Sequence, residues 1–321
     1  MHRDLADSYS RCRELHRRHG RTYYLATRLL PRARRPHVHA LYGFARYADE
    51  IVDAADVGSP QERAAYLDDW SERFLAGLDG APVADPLLPA VINTIRECQL
   101  DRADFASFLR SMTMDLTVTG YETYDDLLDY MEGSAAVIGT MMLPVLGARD
   151  RAAAREPARQ LGLAFQLTNF IRDIGEDLDR GRIYLPREDL RRFGVTAASM
   201  AADAAAGTAS APTRQLVAYA IERARAHYVA AAPGVAMLDW VSRPCVRVAY
   251  LVYGGILDEI ARADHDVFSR RAVVSRRRRL ALAVRGAVRS DLGARSKPLG
   301  GGAGLRGVHG GIGVADQGVG V

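Results

Sequence analysis

The chain predicts an all-α protein, a helical bundle around a central cavity, and three observations carry that prediction. Apolar residues recur at spacings of three and four through nearly every segment, and nothing alternates well enough to be a core strand. Two of these segments each hold a pair of aspartates four residues apart: Asp49 and Asp53 in YGFARYADEIVD, Asp173 and Asp177 in QLTNFIRDIGED. A length of 321 residues with 48% hydrophobic content is enough to bury one large helical core.

The elements follow in order. Residues 4–19 read as a polar helix, and 22–30 (TYYLATRLL) as a second one stopped by Pro31. Between them, His19-Gly20-Arg21-Thr22 is either a flap of phosphate-binding donors or an ordinary basic loop. A long helix over 35–56 carries the first aspartate pair and ends at Gly58-Ser59-Pro60. Helices are expected over 61–77, 88–98, 102–119 and 124–147. The last contains GSAAVIGTMMLPVLG, whose small side chains leave room for a ligand or allow close helix packing, and Pro144 should kink or end it. The helix over 152–178 carries the second aspartate pair and runs into an irregular connection, RGRIYLPRED, with Arg180 and Arg182. Such arginines beside a metal site would neutralise leaving-group charge; as surface arginines they are unremarkable. Further helices are expected over 211–232, 243–263 and 267–289. In the last, Arg276 to Arg279 precede LALAV, a basic amphipathic pattern that suits an anionic membrane surface but reads first as the solvated face of a final bundle helix. The helical domain is thus 1–290, and 291–321 is a glycine-rich tail expected to be disordered. That tail holds GxGxxG at Gly302, Gly304 and Gly307, without a strand before it or a helix after it, so it is not a dinucleotide site.

The aspartate pairs point to chemistry. Like charges four apart on a helix repel by a few tenths of a kcal/mol, so the arrangement gains nothing unless a cation sits between them. Mg2+ suits the position, because it takes carboxylate oxygens, keeps several waters and completes its shell with phosphate oxygens. Gln166 and Asn169 share the face of Asp173. Two acidic faces far apart in sequence could oppose each other across a bundle cavity.

Bulk composition excludes several classes. The formal charge is +4 and the pI near 9.0, which reflects arginine usage rather than a concentrated nucleic-acid-binding patch. Cys12, Cys98 and Cys245 are scattered and lack CxxC spacing, which argues for a reducing cytoplasm and against zinc or disulfides. The first twenty residues lack the apolar core of a signal peptide, and no apolar run approaches the ~20 residues of a membrane span. A di-iron bundle would need Glu-x-x-His pairs, and no Glu in the chain has His three residues on.

The stretches HGRTYYLATRLLP, ALYGFARYADEIVD, MDLTVTGYETYDDLLDYMEGSAAVIGTMMLP, LGLAFQLTNFIRDIGEDLDRGRIYLP and HDVFSRRAVVS, in that order over roughly residues 10–290, resemble the squalene/phytoene synthase family, and within it the bacterial phytoene synthases. LTNFIRDIGED followed by RGRIYLP is far more specific as a pair than either DxxxD alone. Three positions depart from the family pattern: Glu50 for the second Asp of DDIVD, Tyr23 for Phe, and His265 for Tyr.

The resemblance implies an isoprenoid synthase-type fold and a prenyltransferase. It would condense two geranylgeranyl diphosphates head to head, through prephytoene diphosphate, to 15-cis-phytoene in carotenoid biosynthesis. The alternative is a squalene or presqualene diphosphate synthase acting on farnesyl diphosphate. Residue by residue, the resemblance implies Asp49, Asp53, Asp173, Asp177 and Asn169 as Mg2+ ligands, with Mn2+ as an alternative metal. It gives His19, Arg21, Thr22, Tyr23, Arg46, Gln166, Asn169, Arg172 and Arg271 (or Arg270) to the diphosphate substrate. Tyr42 and Tyr253 would line the reacting end. No nicotinamide cofactor is expected, because phytoene forms by proton loss whereas squalene needs hydride. A lipophilic product implies transient contact with a membrane surface and none with nucleic acid.

Overall fold

The computed structural model describes residues 2–53 and 58–294, and among them the chain is helical with no strand. Six helices build the first half: α1 (His2–His19), α2 (Arg21–Thr27), α3 (Arg35–Asp53), α4 (Pro60–Leu78), α5 (Leu88–Cys98) and α6 (Arg102–Met114). Then come α7 (Tyr124–Met131), a π-helical turn (Glu132–Ala136), α8 (Val137–Leu146), α9 (Arg151–Arg172) and α10 (Ile174–Asp179). The chain closes with α11 (Arg187–Arg192), α12 (Ala197–Ala206), α13 (Ala211–Ala231), α14 (Gly234–Met237), α15 (Arg243–Arg262) and α16 (Arg276–Ala294).

Local chemistry sets many of these boundaries. Ser59, Thr123 and Thr196 each form a reciprocal capping box that opens α4, α7 and α12, and Asp101 and Asp150 cap α6 and α9. Helix α9 is the axis of the molecule, packing against α13, α8, α15 and the π turn. One apolar cluster gathers α1, α3, α5 and α6 around Phe44, Trp70, Phe74 and Phe105; a second gathers α9, α13 and α15 around Ile171, Val217 and Ile260.

The structure corrects several expectations. The second aspartate pair does not ride one unbroken helix: α9 stops at Arg172, and Asp173 (φ −103°, ψ 13°) is the junction with α10. The Asp173 carboxylate, bonded by Arg172 and Arg271, sits at that junction while the backbone ladder continues around it, Asp177 N donating to Asp173 O at 2.9 Å. Helix α6 ends at Met114, not 119, and leaves Asp115 at its end. Pro144 does not stop α8, which runs on to Leu146 and closes on Gly147 at φ 77°. The irregularity falls instead at the π turn, where Gly133 passes so close to α6 that a Cβ would lie 2.3 Å from Ser107 O.

Residues 267–275 are not helical either. Asp266 accepts the backbone N–H groups of Ala209, Phe268 and Ser269, pinning this stretch as a strap before α16 begins. Helices α11, α12 and α14 went unread, being short and weakly patterned. The last described helix reaches Ala294, and the rest of the glycine-rich stretch expected as a tail lies outside the described residues. Arg278 on α16 pairs with Asp258 and Glu259 of α15, so α16 is a packed bundle helix. No described helix is long and apolar enough to cross a membrane.

Candidate active site

Helix α3 presents Tyr42, Arg46, Asp49 and Asp53 at successive spacings of four, three and four, one stripe on one face. Across the bundle, Gln166 and Asn169 on α9, Asp173 at the α9–α10 junction and Asp177 on α10 form the opposing stripe. Both stripes face a single polar cavity of about 1070 Å³. Asp49, Asp53, Asp173, Asp177, Tyr42, Tyr253, His19, Arg21, Thr22, Tyr23, Arg46, Gln166, Asn169, Arg172 and Arg271 all line it. Arg270 does not.

The cavity is a lattice of opposed charges. Arg46 donates to Asp49 at 2.7 Å and to Glu50 at 3.0 Å, so the Glu50 departure keeps a carboxylate in the wall. Arg172 donates to Asp173 at 2.8 Å, and Arg271, delivered by the 267–275 strap, reaches Asp173 and Glu176 at 2.8 Å each. Arg180 and Arg182 cross to the other stripe and hold Asp53 at 3.2 and 3.3 Å. The connection carrying them is fixed by Ile183 N donating to Thr119 O (3.1 Å) and Arg187 N to Tyr121 O (2.9 Å).

A further carboxylate, Asp115, lines the same cavity and was not singled out from the sequence. Tyr130 and Tyr184 donate their hydroxyls to it, and Arg182 bonds its backbone carbonyl at 3.0 Å. Its position after a helix of ordinary composition offers no periodic signal; the family stretch MDLTVTGYETYDDL contains it without marking it. Arg18, Ser134 and Arg279 also line the cavity without having been read.

Burial and like charges make this cavity hungry for cations. Removal from water, then the neighbouring Asp173, pushes the Asp177 carboxyl up to about 7. Removal from water, then Asp53, pushes Asp49 up to about 6; burial does the same to Asp115, up to about 6. No hydrogen bond reaches the Asp177 side chain among the described residues, and the buried Asn169 Oδ1 has no partner. Among those residues no three His, Cys, Asp or Glu side chains form a closed metal cage. Oxygen donors in two separated, incomplete sets, with an orphaned amide oxygen beside one of them, fit a hard divalent cation that takes the rest of its shell from water and phosphate.

Aromatic rings form the boundary between this chamber and an apolar one. Tyr23 stacks on Tyr253 at 4.6 Å, and both contact Phe165. Tyr42 stacks on the buried His16 at 4.1 Å, and His16 Nδ1 lies 2.9 Å from His39 Nδ1. Burial first, then His39, holds His16 down to about 3, and burial first, then Arg13 and Arg35, holds His39 to about 4, so the pair is neutral. A Cβ at Gly20 would strike Tyr42 at 2.6 Å and His16 at 2.8 Å, which explains glycine in the flap. Beyond the rings an apolar chamber of about 340 Å³ runs between α8, α9 and the start of α15, sharing Tyr23, Tyr42, Ser134, Gln166 and Asn169 with the polar one. The small-residue stretch serves both of its possible ends: Ser134, Ala135, Ile138 and Gly139 line this chamber, and Gly139 and Gly162 bring α8, α9 and the π turn together.

The sequence of the chain matches the family described as "Squalene/phytoene synthase" over residues 16–278. The chain belongs to the squalene/phytoene synthase family. Within that family it is 37% identical over 281 residues to a phytoene synthase of Arthrospira platensis, covering 84% of this chain and 89% of that protein. It is 33% identical over 287 residues to the 15-cis-phytoene synthase of Synechococcus elongatus, covering 86% and 91%. Among solved structures it is similar to a dehydrosqualene synthase in complex with ligand (TM-score 0.82, 26% identity, 90% of this chain and 99% of the other). It is also similar to a squalene synthase from Alicyclobacillus acidocaldarius (TM-score 0.73, 28% identity, 81% and 95%). As a squalene/phytoene synthase family member, the chain has the all-α isoprenoid synthase fold of these structures.

Proposed function

We propose that the chain is a phytoene synthase-type prenyltransferase that joins two geranylgeranyl diphosphates head to head, through prephytoene diphosphate, to phytoene. The observation carrying this reading is a single charged cavity, flanked by both aspartate stripes, that continues past Tyr23 and Tyr42 into an apolar chamber. Relatives named phytoene synthase, matched over most of both chains, support the C20 choice.

Mg2+, or Mn2+ in its place, would be held by Asp49, Asp53, Asp173, Asp177 and Asn169 and would supply positive charge to the leaving diphosphate. Arg46, Arg172 and Arg271 sit among those carboxylates, where guanidinium forks match phosphate oxygens in pairs. His19, Arg21, Thr22 and Gln166 complete the polar wall on the flap and α9 sides. As the allylic C–O bond breaks, the cation formed on the prenyl chain must be kept from water. The Tyr23, Phe165 and Tyr253 rings wall that side, and the faces of Tyr42 and Tyr253 stabilise positive charge by roughly 0.5–2 kcal/mol each. Attack by the second alkene, with loss of a proton from the carbon that carried the first diphosphate, closes a cyclopropane; the second diphosphate then leaves, the cyclopropylcarbinyl cation rearranges, and loss of a second proton forms the central double bond. No hydride is consumed. Such a product is delivered to a bilayer, so we place the enzyme in the cytoplasm with transient contact to a membrane surface.

A second reading is condensation of farnesyl diphosphate to a C30 product, favoured by the dehydrosqualene and squalene synthase structures. Purified protein given each diphosphate with Mg2+, with and without NADPH, decides between them. Phytoene from the C20 substrate without NADPH is the expected product; C30 hydrocarbon alone would overturn the proposal.

A further inference from the structure

Two corners of the chain share one construction. Leu30 to Pro36 and Leu238 to Pro244 both read Leu-x-x-x-x-Arg-Pro. In the first, Arg35 reaches back to Leu30 O at 2.9 Å and Arg28 O at 2.8 Å. In the second, Arg243 reaches Leu238 O at 3.0 Å and Ala236 O at 2.8 Å. Arg34 staples the corners together, pairing with Asp239 at 2.6 Å and donating to Ser242 at 2.6 Å and Leu146 O at 3.0 Å.

The double corner adjoins the apolar chamber at the end away from the aspartates: Leu238 belongs to the second corner, and Ala26 and Thr27 precede the first in α2. Ala26, Thr27, Leu146, Val235 and Leu238 line the chamber from inside. The outer side of the same short segments is apolar too: Trp240 is 63% exposed, Leu25 56%, Leu29 43% and Met237 37%. Arg28 and Arg32 are exposed beside them. A corner apolar on both faces, with a tryptophan and arginines on the outside, has the composition of a membrane interface: the ring at headgroup depth, the aliphatic groups below it, and the cations against lipid phosphate.

We propose that the double corner docks on an anionic lipid bilayer and is the door through which the hydrocarbon product leaves the chamber. This rests on the proposed prenyl-condensing function for the product's nature, but the docking is measurable without substrate. The chain has two tryptophans, Trp70 fully buried and Trp240 exposed, so Trp240 reports the surface. Full-length protein is mixed with vesicles of phosphatidylglycerol and phosphatidylcholine, or of phosphatidylcholine alone, and vesicle flotation, emission maximum and acrylamide quenching are read.

The expected result is co-flotation with the anionic vesicles, a blue shift and protection from quencher. Leu29→Ser and Trp240→Ser should each weaken vesicle affinity by about tenfold, while turnover in detergent stays at the wild-type level. Failure of the wild-type chain to float, or unchanged Trp240 emission, would overturn the proposal. So would a blue shift that grows with protein concentration in the absence of vesicles, which would mean a second copy covers the face. Equal affinity for neutral vesicles would overturn the part given to Arg28 and Arg32. Vesicle binding without any condensation product would leave the docking standing and sink the reaction, and the converse result would do the reverse.

Discussion

Asp177 has a carboxyl pushed up to about 7, against an ordinary value of 3.8, by burial and by Asp173. Between about pH 4 and pH 7 the folded chain therefore holds a proton that the unfolded chain has released, and stability falls as pH rises through that window. Asp177→Asn removes this penalty. Metal-free Asp177→Asn protein should melt above the wild type at about pH 8 and close to it at about pH 4, as thermal denaturation at the two pH values would show. Its turnover should be lost. Asp173→Asn, where the carboxylate holds Arg172 and Arg271, should keep the helical circular-dichroism spectrum and lower turnover by about 100-fold or more. Near-normal rates in either variant would remove that carboxylate from the metal site. Asp115 shows the limit of reading single residues: its neighbours Tyr130, Tyr184 and Arg182 arrive from other segments, and nothing around it in the chain announces a functional carboxylate.

At the level of elements, the π turn and the glycines beside it decide how closely α8 and α9 approach. A Cβ at Gly139 would lie 2.1 Å from Ala158 O, a backbone atom that can move only if α9 moves with it. Gly139→Ala should cost about 1–3 kcal/mol, read as a lowered thermal midpoint, and should reshape the apolar chamber that Gly139 lines. The amino-terminal helices, with strong apolar stripes and flanking Pro or Gly, were legible to within a few residues. The breaks were not. The end of α9 at Asp173 coincides with a bond from Arg271, and the strap over 267–275 is pinned by Asp266 to Ala209; both depend on partners that no local window contains.

For the whole molecule, the two acidic stripes belong to helices far apart in the chain, so a cation that bridges them through a shared anion should tighten the entire bundle. Pyrophosphate and Mg2+ together should raise the thermal midpoint more than the sum of their separate effects. Saturation at about 100 times the dissociation constant corresponds to roughly 2.7 kcal/mol. Simple additivity would show that the two stripes do not share a ligand, and chelation with EDTA should abolish turnover.

The all-α class and the two aspartate pairs were determined by the sequence alone, because helical periodicity and short motifs are properties of neighbours in the chain; the aromatic and arginine positions beside them came only from the resemblance to the family. Only the tertiary structure decided that both stripes face one cavity, that Asp115 joins them, that Arg182 crosses to Asp53, and that Leu238 lines the apolar chamber. Those relations join residues of different elements, up to more than a hundred positions apart, and the packing of the bundle, rather than any local preference, brings them together.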